Sequence, residues 1–117
     1  MKINNNELNI ENTRGDTLSF GVEIQELGQE LDTIYFTCKN NIDDFPLFQK
    51  SLNNGITLDH IENNTYYYKV RIAPEDTRDL EIGKYYYDIE IGVNGDIFTI
   101  AKGILTLEYD VTSGVIE

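Results

Sequence analysis

Tyr85-Tyr86-Tyr87-Asp88-Ile89-Glu90-Ile91-Gly92-Val93-Asn94-Gly95-Asp96-Ile97-Phe98-Thr99-Ile100 reads as two alternating runs around an Asn-Gly turn. On the first run Tyr85, Tyr87, Ile89 and Ile91 share one face, and Asp88 and Glu90 share the other. A side-chain period of two marks a strand with one face buried. Asn94-Gly95 is the preferred pair for a type I′ hairpin, in which both turn residues need φ > 0. Such a turn sets Val93 opposite Asp96, Ile91 opposite Phe98 and Ile89 opposite Ile100, with Glu90 opposite Thr99 on the polar face. Continuing that phase would bury Lys102, Thr106 and Glu108, whereas the apolar residues are Leu105, Leu107 and Tyr109. The phase must slip by one near Ala101 to Gly103. A β-bulge at Gly103, or a kink where the strand changes sheets, is expected there.

The same period recurs upstream. Thr17 to Ile24 places Leu18, Phe20, Val22 and Ile24 on one side. Thr33 to Lys39 does so with Ile34, Phe36 and Cys38, and Tyr66 to Ile72 with Tyr66, Tyr68, Val70 and Ile72. Shorter strands are expected at Leu8 to Glu11, at Leu47 to Lys50 as an edge after Pro46, and at Ile56 to Asp59. The last would pair with the strand from Tyr66 through a loop at Ile61 to Asn64. Asn pairs fall mostly between these runs, where the short amide supports turns and tolerates φ > 0. Pro74-Glu75-Asp76-Thr77 suits one helical turn, with proline at its first position and acids at its N-terminus. No window carries a 3.6-residue stripe longer than two turns. Many short strands separated by turn signals argue for an all-β sandwich or barrel.

At 117 residues the chain has room for one domain, spanning 1–117. A content of 40% hydrophobic residues can build a core. The apolar runs are too short to cross a bilayer, and Met1 to Asn6 has no apolar region of the signal-peptide kind. One cysteine and one histidine exclude an internal disulfide framework and a Cys/His zinc site. A net charge of −12 repels phosphate backbones, which disfavours nucleic acid as a partner.

Two resemblances sharpen the fold. Leu80-x-x-Gly83-x-Tyr85-x-Tyr87, preceded by Glu75-Asp76-Thr77, resembles the connection before the sixth strand of an immunoglobulin domain. Tyr85 stands where the tyrosine corner would be, and Tyr87 where the second cysteine would be. The chain departs from antibody domains in having no Trp, no partner for Cys38, and a longer spacing from Thr77 to Tyr85. The second resemblance covers nearly the whole chain. It runs through Thr13-Arg14-Gly15-Asp16-Thr17, Tyr35-Phe36-x-x-Lys39, Asn54-Gly55-Ile56, Ala73-Pro74-Glu75-Asp76-Thr77 and Gly83-x-Tyr85-x-Tyr87-Asp88-Ile89. It continues in Thr99-x-x-x-Gly103 and Asp110-Val111-Thr112. In that order these motifs resemble the N-terminal immunoglobulin-like module of upper baseplate proteins in tailed phages and prophages of Gram-positive bacteria. The resemblance implies an immunoglobulin-like antiparallel β-sandwich of about seven to nine strands. It also implies a non-enzymatic structural role in a virion assembled in a bacterial cytoplasm, as a baseplate, tail, fibre or decoration module. That module is often part of a longer chain, so a chain ending at Glu117 would act as a decoration, adaptor or connector. The expected partners are other virion structural proteins or further copies of the chain, with no nucleic acid, membrane or cofactor.

The chemical motifs have plain structural readings. Arg14-Gly15-Asp16 matches an adhesive tripeptide but also suits a tight turn before a strand. Asn63-Asn64-Thr65 is a formal glycosylation sequon and equally a turn. Asp43-Asp44 and Glu75-Asp76-x-x-Asp79 lack the ligand spacing of a calcium loop. His60 reads as a surface loop residue, and Cys38 as a small buried hydrophobe. No nucleotide-binding fingerprint occurs. Tyr67 and Tyr86 sit opposite the core faces of Tyr66-Tyr67-Tyr68 and Tyr85-Tyr86-Tyr87. If their strands are neighbours, the two rings form one adhesive patch; otherwise they stabilise their own sheets. They are the candidate interface residues. Recognition of a host-surface glycan or protein is the first alternative to an assembly role, and an enzyme with dispersed carboxylates the second.

Overall fold

The alternating runs form strands because a period of two lets one face of each join a common core. The computed structural model describes residues 6–111. Its strands are β1 (Asn6–Glu7), β2 (Ile10–Thr13), β3 (Leu18–Gln25), β4 (Thr33–Lys39), β5 (Phe48–Leu52), β6 (Gly55–Glu62) and β7 (Thr65–Ile72). After the single turn α1 (Pro74–Thr77) come β8 (Gly83–Val93) and β9 (Asp96–Glu108). Strand accounts for 62% of the described residues against 4% helix, so the class is all-β.

The sheet order is β1-β9-β8-β4-β5-β6-β7-β3, and β2 also pairs with β9. β1 and β2 hold one register on β9, Asn6 facing Ala101 and Ile10 facing Leu105. Nine strands therefore fill eight positions in a sheet that curls toward a barrel. The expected antiparallel sheet is in fact mixed, since β1 and β2 run parallel to β9 and β5 runs parallel to β6. The β5–β6 contact covers only Ser51–Gly55 and Leu52–Ile56. A true parallel ladder needs a long crossover; here Asn53 (φ 64°) and Gly55 (φ 93°) turn the chain within a few residues. β5 is thus paired with β4 along most of its length and touches β6 only at this corner, instead of forming an outer edge.

The Asn94-Gly95 hairpin forms with Val93 facing Asp96, Ile91 facing Phe98 and Glu90 facing Thr99. Ile89 then faces Ala101, not Ile100. The bulge thus lies at Ile100, before the expected Ala101 to Gly103, and it carries burial from Ile100 to Leu105 and Leu107. Gly103 has another purpose: a Cβ there would overlap the carbonyl oxygen of Leu8 and approach the Tyr87 ring to 3.1 Å. The β6–β7 connection is also tighter than expected. β6 continues to Glu62, and Asn63 and Asn64 turn the chain with φ of 51° and 60°. His60 consequently lies on a strand, exposed, and not in a loop. Thr112, the end of the last quoted motif, lies outside the described residues.

The core is one cluster. Phe36 on β4 is its centre, stacked on Tyr87 (centroids 5.2 Å) and Phe48 (6.0 Å) and meeting Phe20 of β3 edge-on at 5.9 Å. Cys38 is fully buried beside it, as its inward position predicts. The base of the molecule is tied by side chains. Arg14 donates to Asp110 Oδ1 at 2.9 Å and to the Leu80 carbonyl at 3.3 Å. The Gly15 amide donates to the buried Thr77 hydroxyl at 2.9 Å.

Candidate functional site

The outward face of β8 carries Lys84, Tyr86, Asp88 and Glu90, alternating with the buried set. Register fixes their neighbours. Tyr86 lies between Lys39 of β4 and Ile104 of β9, and Asp88 lies between Thr37 and Lys102. These two rows border a depression of about 410 Å³, whose rim includes exposed Ile42. Gly103 also lines it. Having no side chain, Gly103 lets Leu8 pass close by on the side of Tyr87, where the Leu8 carbonyl accepts a hydrogen bond from the Tyr87 hydroxyl. The strand ladder is interrupted there, and the Asn9 side-chain oxygen accepts from the Ile104 amide at 3.2 Å in place of a backbone carbonyl.

The depression is amphipathic. Tyr86 is 43% exposed and offers an aromatic face, with Ile42 and Ile104 beside it. Asp88 is half-buried, and burial raises its carboxyl above the ordinary value while the Lys39 charge pulls it down. Lys39 and Lys102 add positive charge to an otherwise acidic molecule. An aromatic ring beside a carboxylate, a hydroxyl and two ammonium groups can stack on a planar or sugar surface and hydrogen-bond its edge.

Tyr67 lies elsewhere. β4, β5 and β6 separate β8 from β7, so Tyr67 and Tyr86 do not form one patch. Tyr67 stacks on His60, its cross-strand partner, with centroids 4.2 Å apart and planes 9° apart. His60 Nδ1 sits 3.0 Å from Asp59 Oδ2. Arg14 of the Arg-Gly-Asp tripeptide is spent on Asp110 and Leu80. Of the acidic clusters, Asp76 accepts from the Ala73 amide and pairs with Lys50.

A second concavity, of about 460 Å³, opens between β3 and the strands β2, β8 and β9, with Leu8 and Asn9 on its rim. Sequence reasoning missed it.

No protein-family model and no curated protein matches this chain.

Proposed function

We propose that this chain is an immunoglobulin-like β-sandwich that acts as a non-enzymatic docking module of a larger assembly. The motif resemblance makes that assembly a bacteriophage virion or prophage-encoded tail structure, with other virion proteins as partners. The sandwich reading is supported by the β5–β6 corner, which divides β2-β9-β8-β4-β5 from β6-β7-β3. It is also supported by the packing of Phe20 on Phe36 across that division and by the tyrosine corner. There the Tyr85 hydroxyl donates to the Glu81 carbonyl at 2.5 Å.

The observation that carries docking is the exposed Tyr86 ring in the Gly103 depression. Exposed aromatics with a polar rim are typical anchors of protein interfaces. Light scattering across a concentration series tests for self-assembly. Co-sedimentation with virion proteins, comparing the parent chain with Tyr86→Ala, tests for a heterologous partner. Loss of binding in the variant supports the reading; unchanged binding refutes the anchor. The row Thr37–Asp88–Lys102 favours one second reading, a host glycan stacked on Tyr86 and hydrogen-bonded by that row. A glycan array that binds the parent chain but not Tyr86→Ala would decide for it.

A further inference from the structure

The core-facing side chains of β4, β7 and β8 are buried throughout, but those of β3 are not. Ile24 is 2% exposed, whereas Leu18, Phe20 and Val22 are only half-buried. The cause is topological. Among the described residues β3 pairs with β7 alone, so its other edge faces the gap toward β2, β8 and β9. Along that edge the backbone offers unpaired N–H and C=O groups, a ready template for another strand. Ile10 and Ala101 border the gap from the far side, and its volume is about 460 Å³. An extended segment alone satisfies both features: it completes the ladder and sends every second side chain into the gap.

Charge selects the occupant. β2 and β3 flank the gap, and the charged residues they carry are Glu11 and Glu23, both exposed. The net charge of −12 opposes pairing of two copies of the chain through this edge. We propose that the free edge of β3 receives an extended strand from a different chain, with small apolar residues facing inward and basic residues facing outward. This uses the β3 edge and does not depend on the Tyr86 depression.

The test is amide hydrogen exchange of the full chain with a short blocked peptide alternating lysine and valine. A matching peptide alternating glutamate and valine is the control. Binding of the lysine peptide should slow exchange of alternate β3 amides by about tenfold at saturation. The glutamate peptide should leave them unchanged, and Glu23→Lys should weaken the lysine peptide several-fold. Tyr86→Ala should leave this protection intact, which keeps the two surfaces distinguishable. No β3 protection by the lysine peptide overturns the proposal, as does equal protection by both peptides. Protection that rises with protein concentration alone, without peptide, would make a second copy the occupant and overturn it too.

Discussion

The Lys50 ammonium and the Asp76 carboxylate meet at 2.6 Å, with side chains only 13% and 12% exposed. Lys50 faces Phe36 in the β4–β5 register, so its stem lies on the core side of the sheet. Its methylenes would be crowded by any Cβ at Gly55, only 2.7 Å from the nearest. Asp76 also accepts the Ala73 amide at 2.7 Å, which closes the start of α1. One charge pair thus fastens β5 to the turn that leads into β8.

Lys50→Met should cost about 3 kcal/mol, because it strands a nearly buried carboxylate. Asp76→Asn keeps an acceptor for Ala73 but strands the ammonium, and should cost a similar amount. The double variant should recover much of the loss. Urea denaturation of all four proteins, read as a double-mutant cycle, gives the coupling. Additive losses would mean that the pair holds nothing together.

Tyr85→Phe keeps the packed ring and removes only the hydroxyl that reaches Glu81. The carbonyl loses its partner, so stability should fall by about 1 to 2 kcal/mol. Thermal unfolding should show the midpoint lowered by about 5 °C. An unchanged midpoint would remove the Tyr85–Glu81 hydrogen bond from the account of stability.

The buried faces were legible because strand geometry forces a period of two. Phe36, Val70 and Ile89 announce their side without reference to any partner. Asn94-Gly95 was legible because its backbone demand is local. Strand order is not local, so the sequence could not show that three strands separate Tyr67 from Tyr86. Lys50 was equally opaque: a lysine at an inward position becomes sensible only when Asp76 arrives from another element. The bulge was expected from the burial phase, but its position at Ile100 depends on packing against β8. Tyr86 was legible as outward-facing. The depression around it is built from Thr37 and Lys39 of β4, Asp88 of β8, and Lys102 and Ile104 of β9, which only the strand order brings together.

Gly103→Ala tests the close approach of Leu8 to Gly103. The added methyl would collide with the Leu8 carbonyl, a backbone atom that cannot rotate away. Stability should drop by about 1 to 3 kcal/mol, and amide exchange should show early loss of protection on β1 and β2. A neutral substitution would mean that the edge strand shifts freely to admit the methyl group.

Cys38 gives a pH-dependent readout. Burial pushes its thiol from 9.0 up to about 12, so the folded state holds its proton where the unfolded state releases it. Stability contributed by the neutral thiol is full below the unfolded value and is lost as pH climbs from about 9 toward 12. Burial raises Tyr68, Tyr85 and Tyr87 as well, with the same sign. Midpoints of urea unfolding should therefore fall steadily above pH 9. At pH 8 iodoacetamide should alkylate Cys38 only at the rate at which the chain opens, accelerating with urea. Fast labelling without denaturant would show the thiol to be open to solvent.

Tyr67 and Tyr86 should separate cleanly when each is replaced by alanine. Tyr67 is engaged with His60 in a parallel stack, so Tyr67→Ala should cost about 0.5 to 1 kcal/mol of stability. It should leave partner binding as it was, because β5 and β6 separate β7 from the strands that line the Gly103 depression. Tyr86 projects from the outer face with 43% of its surface open, so Tyr86→Ala should change stability by less than about 0.5 kcal/mol. An aromatic anchor at an interface centre carries about 2 kcal/mol or more of binding, which corresponds to a roughly thirtyfold weaker complex. Stability from urea melts and affinity from sedimentation of the same two variants give four numbers. A docking role at Tyr86 requires the affinity loss and the stability loss to fall on different residues. If both fall on Tyr67, the working surface is the β6–β7 face, and His60 becomes the next residue to replace.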